Sequence, residues 1–494
     1  MSTATVVGSG PNGLAAAVTL ARAGLDVTVL EAADEIGGGT RSGEVTLPGL
    51  VHDRCSAIHP LAVATAFSRS VDLAAHGLSW AWPEVQYSHP LDGGAGAAVY
   101  RSVDRTAASL GKDTATWRAV FGPLSRNFAD VTEDFLRPMV HLPTHPLKLA
   151  HFGAFAGMPA SVVARLWRTP QARALFGGVA AHAFRPFHAL GSSAIGTALG
   201  TAAHTFGWPA AVGGSAAIAR AMADTLESLG GRIETGVRVR SLADVPDARI
   251  VMLDTSPRAA VEIAGSAMPA AVSRALSRYR HGPGAFAVHF AVEGGIPWTH
   301  EPSRQAGTVH VGGTFGEISA AERQVNRGVM PDRPFVLVTQ QSVADPSRAV
   351  DGVHPVDTYA HVPAGFRGAA TAAVIAQIER FAPGFRDRIV AQTSWDVAHI
   401  ENADPNFVGG DIVTGGNSLR QLLFRPRIAL DPYRTGGRGT GRGIYLCSAA
   451  TPPGAGAHGM CGWNAAGSAL RELGLPVLTA PPGTGESPGY TGSV

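Results

Sequence analysis

Cysteine is nearly absent: Cys55, Cys447 and Cys461 are the three among 494 residues. No two of them stand in C-x-x-C spacing, which excludes a disulfide framework, a zinc knuckle and a thioredoxin-like redox pair, and no metal site is expected. The expectation is a reduced, cytoplasmic chain. Lysine is scarcer still, Lys112 and Lys148 being the two among 40 basic residues, a matter of compositional bias. Charge of one sign is also missing, because 40 Lys and Arg face 38 Asp and Glu for a formal net charge of +2. With no basic run to meet a phosphate backbone, nucleic acid is not an expected partner. No unbroken apolar run reaches membrane length. The longest stretch free of Asp, Glu, Lys and Arg, between Arg185 and Arg220, is broken by Gly207-Trp208-Pro209 and Gly213-Gly214, so it reads as a buried helix, a loop and another helix.

What is present is material for two or three globular domains: 45% hydrophobic residues, with 61 glycines and 34 prolines marking turns. Residues 2–31 read as one βαβ unit: a strand, a glycine turn, an alanine-rich helix to Ala23, then a strand over Asp26–Leu30. Residues 76–205 have mainly helical periodicity. An amphipathic helix over 215–229, a strand over Arg232–Arg240 and an apolar strand over Arg249–Asp254 resume the nucleotide fold. Strand-like runs over Ala285–Val292, Thr308–Val311 and Pro334–Thr339, with a helix over Ala370–Phe381, suggest a separate sheet. Residues 443–447 form a last buried strand, followed by a Pro/Gly loop and a helix over Gly459–Leu473. The Pro, Gly, Ser and Thr-rich residues 476–494 read as a flexible tail.

The first turn carries the chemistry. Gly8-Ser9-Gly10-Pro11-Asn12-Gly13 is G-x-G-x-x-G directly after a strand and opening a helix. Gly8 suits the tight turn, Gly10 admits a pyrophosphate to the backbone, and Gly13 lets helix and strand pack closely. Pro11 and Asn12 open the helix whose N-terminus faces the phosphates. Glu31 ends the second strand, placed to accept hydrogen bonds from an adenosine ribose, and its charge repels a 2′-phosphate. The Gly454-to-Gly459 stretch also spells G-x-G-x-x-G, but Pro452 and Pro453 separate it from its strand, so it is a decoy.

After Glu31, the residues Gly37-Gly38-Gly39-Thr40-Arg41 resemble the second signature of the FAD-binding amine oxidase and phytoene desaturase superfamily. In that family this loop returns to the pyrophosphate, which implies close backbone approach at Gly38 and charge neutralisation by Arg41. The segment from Gly443 to Ala466 is similar to the flavin-contact segment of phytoene desaturases and retinol saturases, with Ser448 and Ala450 standing where those carry glycines. The resemblance implies that Gly454, Gly459 and Met460 bring a helix N-terminus to the flavin, and that the backbone of Val239 meets adenine. Residues 307–314, Arg380–Asp387 and Arg425-Pro426 resemble the branch called pyridine nucleotide-disulfide oxidoreductase domain-containing protein two, although this chain offers no redox dithiol.

The resemblance implies an α/β fold: a Rossmann-type FAD-binding domain from residues 1–75, 205–280 and 440–475, and a discontinuous substrate domain of helices plus a mixed β-sheet from 76–204 and 281–439. The expected activity is FAD-dependent oxidoreduction at C–C bonds (dehydrogenation, saturation or isomerisation) of a lipophilic, isoprenoid or polyene compound. A flavin amine oxidase and a flavin-binding regulatory protein without turnover stand as alternatives. His458 is the nominee for proton handling, against the plainer reading of a histidine that hydrogen-bonds within the cradle. His310, His361 and His399 read as ordinary strand or loop histidines, and Cys461 as a buried thiol. Trp167 between Arg165 and Arg168 suits either an interfacial helix at a membrane surface or a surface helix packed on the core. No second strand-linked glycine loop marks a nicotinamide domain, so oxygen, a quinone or another protein is the expected redox partner.

Overall fold

A computed structural model describes residues 3–437 and 441–479. The expected tail lies partly outside these residues: 480–494 are not described, whereas Val477 and Leu478 pack against the hydrophobic core that holds Val6, Leu20 and Leu470. Strand β1 (Thr3–Val7), helix α1 (Pro11–Arg22) and strand β2 (Asp26–Leu30) form the βαβ unit that the sequence predicts. Around it lies a six-stranded sheet ordered Arg434–Gly436, Gly443–Leu446, Ile250–Leu253, β1, β2, Arg232–Glu234. All pairs are parallel except the edge pair formed by Arg434–Gly436 and Gly443–Leu446, which places that edge strand ahead of the boundary expected at residue 440. The strand expected over 232–240 stops at Glu234, because Gly236 turns the chain at φ +73°. The Gly236 N–H then donates to Ala33 O at 2.8 Å and the Val237 N–H to Glu31 O at 2.8 Å.

Parallel strands are covered on both faces, which is why the central runs Ile250–Leu253 and Gly443–Leu446 are buried throughout. On one face α1 lies between helices Ala216–Ser228 and Met460–Glu472. The fit depends on small residues. A Cβ on Gly462 would stand 1.8 Å from Asn12 O, so only glycine lets the last helix touch the first.

The second sheet has seven strands, ordered Ile389–Trp395, Gly284–Glu293, Val353–Val362, Val336–Thr339, Ala306–Val311, Val85–Pro90, Gly96–Val99. Its pairs are antiparallel except Ala306–Val311 with Val85–Pro90. The helical reading of 76–205 is therefore corrected for its first part, since Val85–Pro90 and Gly96–Val99 are strands. Every residue of Val85–Pro90 is buried, so the alternation that betrays a half-exposed strand is absent. True helices follow, among them Thr114–Phe135, Pro146–Ala156, Pro170–Ala181 and Ala194–Thr205. They enclose an aromatic core in which Trp167 is fully buried, its ring centroid 5.5 Å from that of Trp117 and 5.0 Å from that of Phe176. The interfacial placement of Trp167 is thus corrected: its indole is a core side chain, while Arg165, Leu166 and Arg168 face outward.

Candidate functional site

The carboxyl ends of β1, β2 and Ile250–Leu253 meet at the glycine loop, where strand order reverses about β1. Open α/β sheets bind ligands there. Gly8 has φ +101°, and a Cβ on Gly10 would lie 2.7 Å from Asp254 Oδ2. A Cβ on Gly13 would lie 2.2 Å from Gly8 O, so Gly13 serves the helix–strand contact behind the loop. A cavity of about 920 Å³ opens in front, walled by Gly8, Gly10, Pro11, Asn12, Glu31, Gly38, Arg41 and Val239 at one end. It continues past Ser56–Pro60 and Pro452–Pro453 to Ala455–His458.

Glu31 is anchored from several sides. Its Oε2 accepts from the Ser9 N–H at 2.9 Å and the Ser9 hydroxyl at 2.5 Å, and its Oε1 accepts from the Ala33 N–H at 2.9 Å and Arg41 Nη2 at 3.4 Å. Arg41 also donates to Glu35 O at 2.8 Å and Ala403 O at 3.0 Å, while its Nε is buried with no partner. Two further acids, unmarked by any sequence motif, stand at the same end. Asp254 Oδ2 accepts the Gly13 N–H at 2.9 Å. Burial, with Asp404 and Glu31 nearby, pushes its carboxyl up to about 8. Burial likewise raises Asp404 to about 6. Asn406 ties the two segments, donating to Asp254 O at 3.2 Å and accepting the Ser256 N–H at 2.7 Å. The clue available in sequence was position: Asp254 immediately follows the apolar strand Ile250–Leu253.

At the other end His458 is in the wall and buried; its Nδ1 accepts the Met460 N–H at 3.1 Å. Burial lowers it to about 4, only partly offset by the Ala455 and Gly454 carbonyls, so the ring is neutral at physiological pH. This is the hydrogen bonding of a residue that shapes the turn. Met460 thereby spends its N–H within the chain. Gly454 packs on the Arg425 guanidinium and Gly459 on Phe67 and Ala15; neither they nor Met460 are in the wall. Cys461 donates to Gly454 O at 3.3 Å, and burial pushes its thiol up to about 12. His399 stacks on Trp395 at 4.5 Å. His310 and His361 are not ordinary strand histidines: His361 Nδ1 pairs with Glu322 at 2.6 Å, and His310 Nε2 meets His182 Nε2 at 2.8 Å.

The model of NAD(P)-binding Rossmann-like domains matches residues 6–71. Pyridine nucleotide-disulfide oxidoreductase domain-containing protein 2 of Mus musculus is 29% identical over 157 residues, 30% of this chain and 26% of that protein. Its Rattus norvegicus counterpart is 29% identical over 159 residues, with the same two shares. The chain thus matches about a quarter of the length of these curated relatives. Among solved structures, an oxidoreductase from Methanosarcina mazei superposes with a TM-score of 0.60 at 14% identity, covering 95% of this chain and 100% of that one. Wild-type putrescine oxidase bound to putrescine gives 0.55 at 16% identity, covering 96% and 99%. Cyclohexylamine oxidase from Brevibacterium oxydans gives 0.54 at 15% identity, again covering 96% and 99%. Residues 6–71 thus match a Rossmann-like domain, and the chain shares its overall fold with these solved structures.

Proposed function

We propose that the chain is an FAD-dependent oxidoreductase acting on a C–C bond of a lipophilic substrate, isoprenoid or polyene compounds being the type. The residues fit FAD: a bare backbone at Gly10, a buried and unpartnered Nε on Arg41, and an acid at the end of β2 line one continuous cleft. When bound, FAD supplies the hydride acceptor. Glu31 would hold the adenosine ribose, Gly10 and Arg41 the pyrophosphate, and Val239 the adenine. The observation that carries the substrate reading is the distribution of charge in the wall. Among the described residues, its acids are Glu31, Asp254 and Asp404, all at the glycine-loop end. The far part holds no acid: Phe135, Met139, Phe152, Ile195, Leu419 and Leu422 line it, and the charges among them are the cations Arg137 and Arg425. An ammonium group entering it would be desolvated without a counter-charge, which disfavours amines. Anaerobic bleaching of the flavin by polyenes and prenyl lipids is expected; bleaching by amines alone refutes the reading.

A lipid surface is the proposed source of such a substrate. Leu142 and Leu147 are 93% and 85% exposed, beside the wall residues Met139, Leu149 and Phe152. Among the described residues no single helix is long and apolar enough to cross a membrane; helices Pro146–Ala156 and Ala160–Leu166 pass that test only together, bent by 90°. Peripheral contact through this corner would also let a quinone serve as electron acceptor; oxygen and a protein are the other candidates. Flotation with anionic liposomes, lost on Leu142→Glu with Leu147→Glu, tests the contact, and unchanged flotation refutes it.

A further inference from the structure

His182 follows helix Pro170–Ala181 and lines the cavity together with Trp208, Thr308, Leu337, Thr339 and Tyr359. Its Nε2 lies 2.8 Å from Nε2 of His310, which is fully buried on strand Ala306–Val311. One proton must sit between these two nitrogens, and the surroundings decide whose it is. His310 cannot turn away: Tyr87 is 5.3 Å and Phe335 6.0 Å from its ring, and Gly178 is so close that a Cβ there would stand 2.7 Å from His310 Cβ. His310 Nδ1 is buried with no partner. A stranded N–H costs on the order of 1–3 kcal/mol, and orphaned donors are rarer than orphaned acceptors. The His310 proton therefore belongs on Nε2, donated to His182. That fixes the His182 tautomer in turn, since its own proton must then sit on Nδ1. Burial lowers His182 to about 3, so the ring stays neutral.

We propose that His182 is the recognition point for a neutral carbonyl oxygen on an otherwise apolar substrate, its Nδ1–H being the donor that receives it. This rests on the lipophilic-substrate reading and narrows it. A neutral donor rewards an oxygen acceptor, does nothing for a pure hydrocarbon, and offers a cation no stabilisation. His310 acts through His182 as a positioning residue, holding the tautomer. Trp208, Leu337 and Tyr359 share the wall with this donor, so a carbonyl that reaches it exchanges a bond to water for one in low dielectric, and an unsatisfied oxygen there is penalised.

The test is calorimetric binding of 2-nonanone, nonane and 2-aminononane to the flavin-loaded protein. Wild type is expected to bind the ketone about tenfold more tightly than the alkane, as one net hydrogen bond allows, and the amine no better than the alkane. His182→Leu should bring the ketone down to the alkane's affinity and leave the alkane unchanged. His182→Gln, which keeps an N–H donor, should retain most of the preference. Equal binding of ketone and alkane by wild type, or a preference that survives His182→Leu, overturns the assignment to His182 while leaving the lipophilic cavity intact. If none of the three binds, or the amine binds best, the lipophilic reading falls and the inference falls with it.

Discussion

Asp254→Asn separates the chemistry of the glycine loop from its architecture. In the folded chain the carboxyl titrates near 8, against 3.8 for an ordinary aspartate, because it is buried beside Asp404 and Glu31 against the bare backbone of Gly8 and Gly10. For an acid whose folded value is raised, folding takes up a proton and stability is lost as pH rises. The loss is nil below about pH 4, grows by 1.36 kcal/mol for each pH unit, and levels off above about pH 8. At pH 7 it amounts to about 4 kcal/mol as an upper figure. Asparagine keeps an oxygen to accept the Gly13 N–H and removes the ionisation. Thermal unfolding of the flavin-free variant should therefore match wild type near pH 4 and exceed it by several degrees at pH 8, with the gap widening between. A constant gap across that range, or a variant that melts lower at pH 8, refutes the placement of a protonated carboxyl at the loop.

Glu31→Lys should leave the folded protein without flavin, by loss of about two charge-assisted hydrogen bonds to the ribose, several kcal/mol; full flavin occupancy on denaturing release refutes the role. Gly13→Ala should abolish flavin binding and lower the melting temperature, since its Cβ would stand 2.2 Å from Gly8 O; a stable yellow variant contradicts the close packing. Replacing Cys55, Cys447 and Cys461 by alanine should leave substrate-driven flavin reduction within about twofold, because desolvation, with Asp404 beside Cys55, holds the thiols protonated; loss of turnover with flavin retained gives a cysteine a chemical role. NADPH at micromolar concentration should reduce the flavin only slowly and without saturation; rapid stopped-flow reduction reveals a nicotinamide site.

The legible parts of this molecule are those whose causes are local. Strand, glycine spacing, helix and acid from Thr3 to Glu31 need only neighbours in sequence, and the structure repeats them within a residue or two. Asp254 and the His182–His310 pair were illegible because their meaning lies in contacts across 241 and 128 residues. Val85–Pro90 hid for a different reason: Gln86, Ser88 and His89 are buried yet hydrogen-bonded, Ser88 to Ser303 at 2.9 Å and His89 to Gly313 O at 2.7 Å, so polarity carried no information about exposure. Trp167 shows the limit of amphipathic patterns. A tryptophan flanked by arginines looks the same whether its apolar side meets lipid or, as here, Trp117 and Phe176.

The seat of α1 between two helices has a consequence for biosynthesis. One of those helices, Met460–Glu472, emerges roughly 440 residues after α1. At about 5–20 residues per second, a ribosome needs on the order of 20 to 90 s to make the second after the first. For that interval the face carrying Asn12 and Ala16, made for contact with Gly462, stands bare on the nascent chain. The nucleotide cleft, although announced by the first thirty residues, is among the last things the chain can finish, and a chaperone that shields α1 during synthesis should raise the yield of loaded protein.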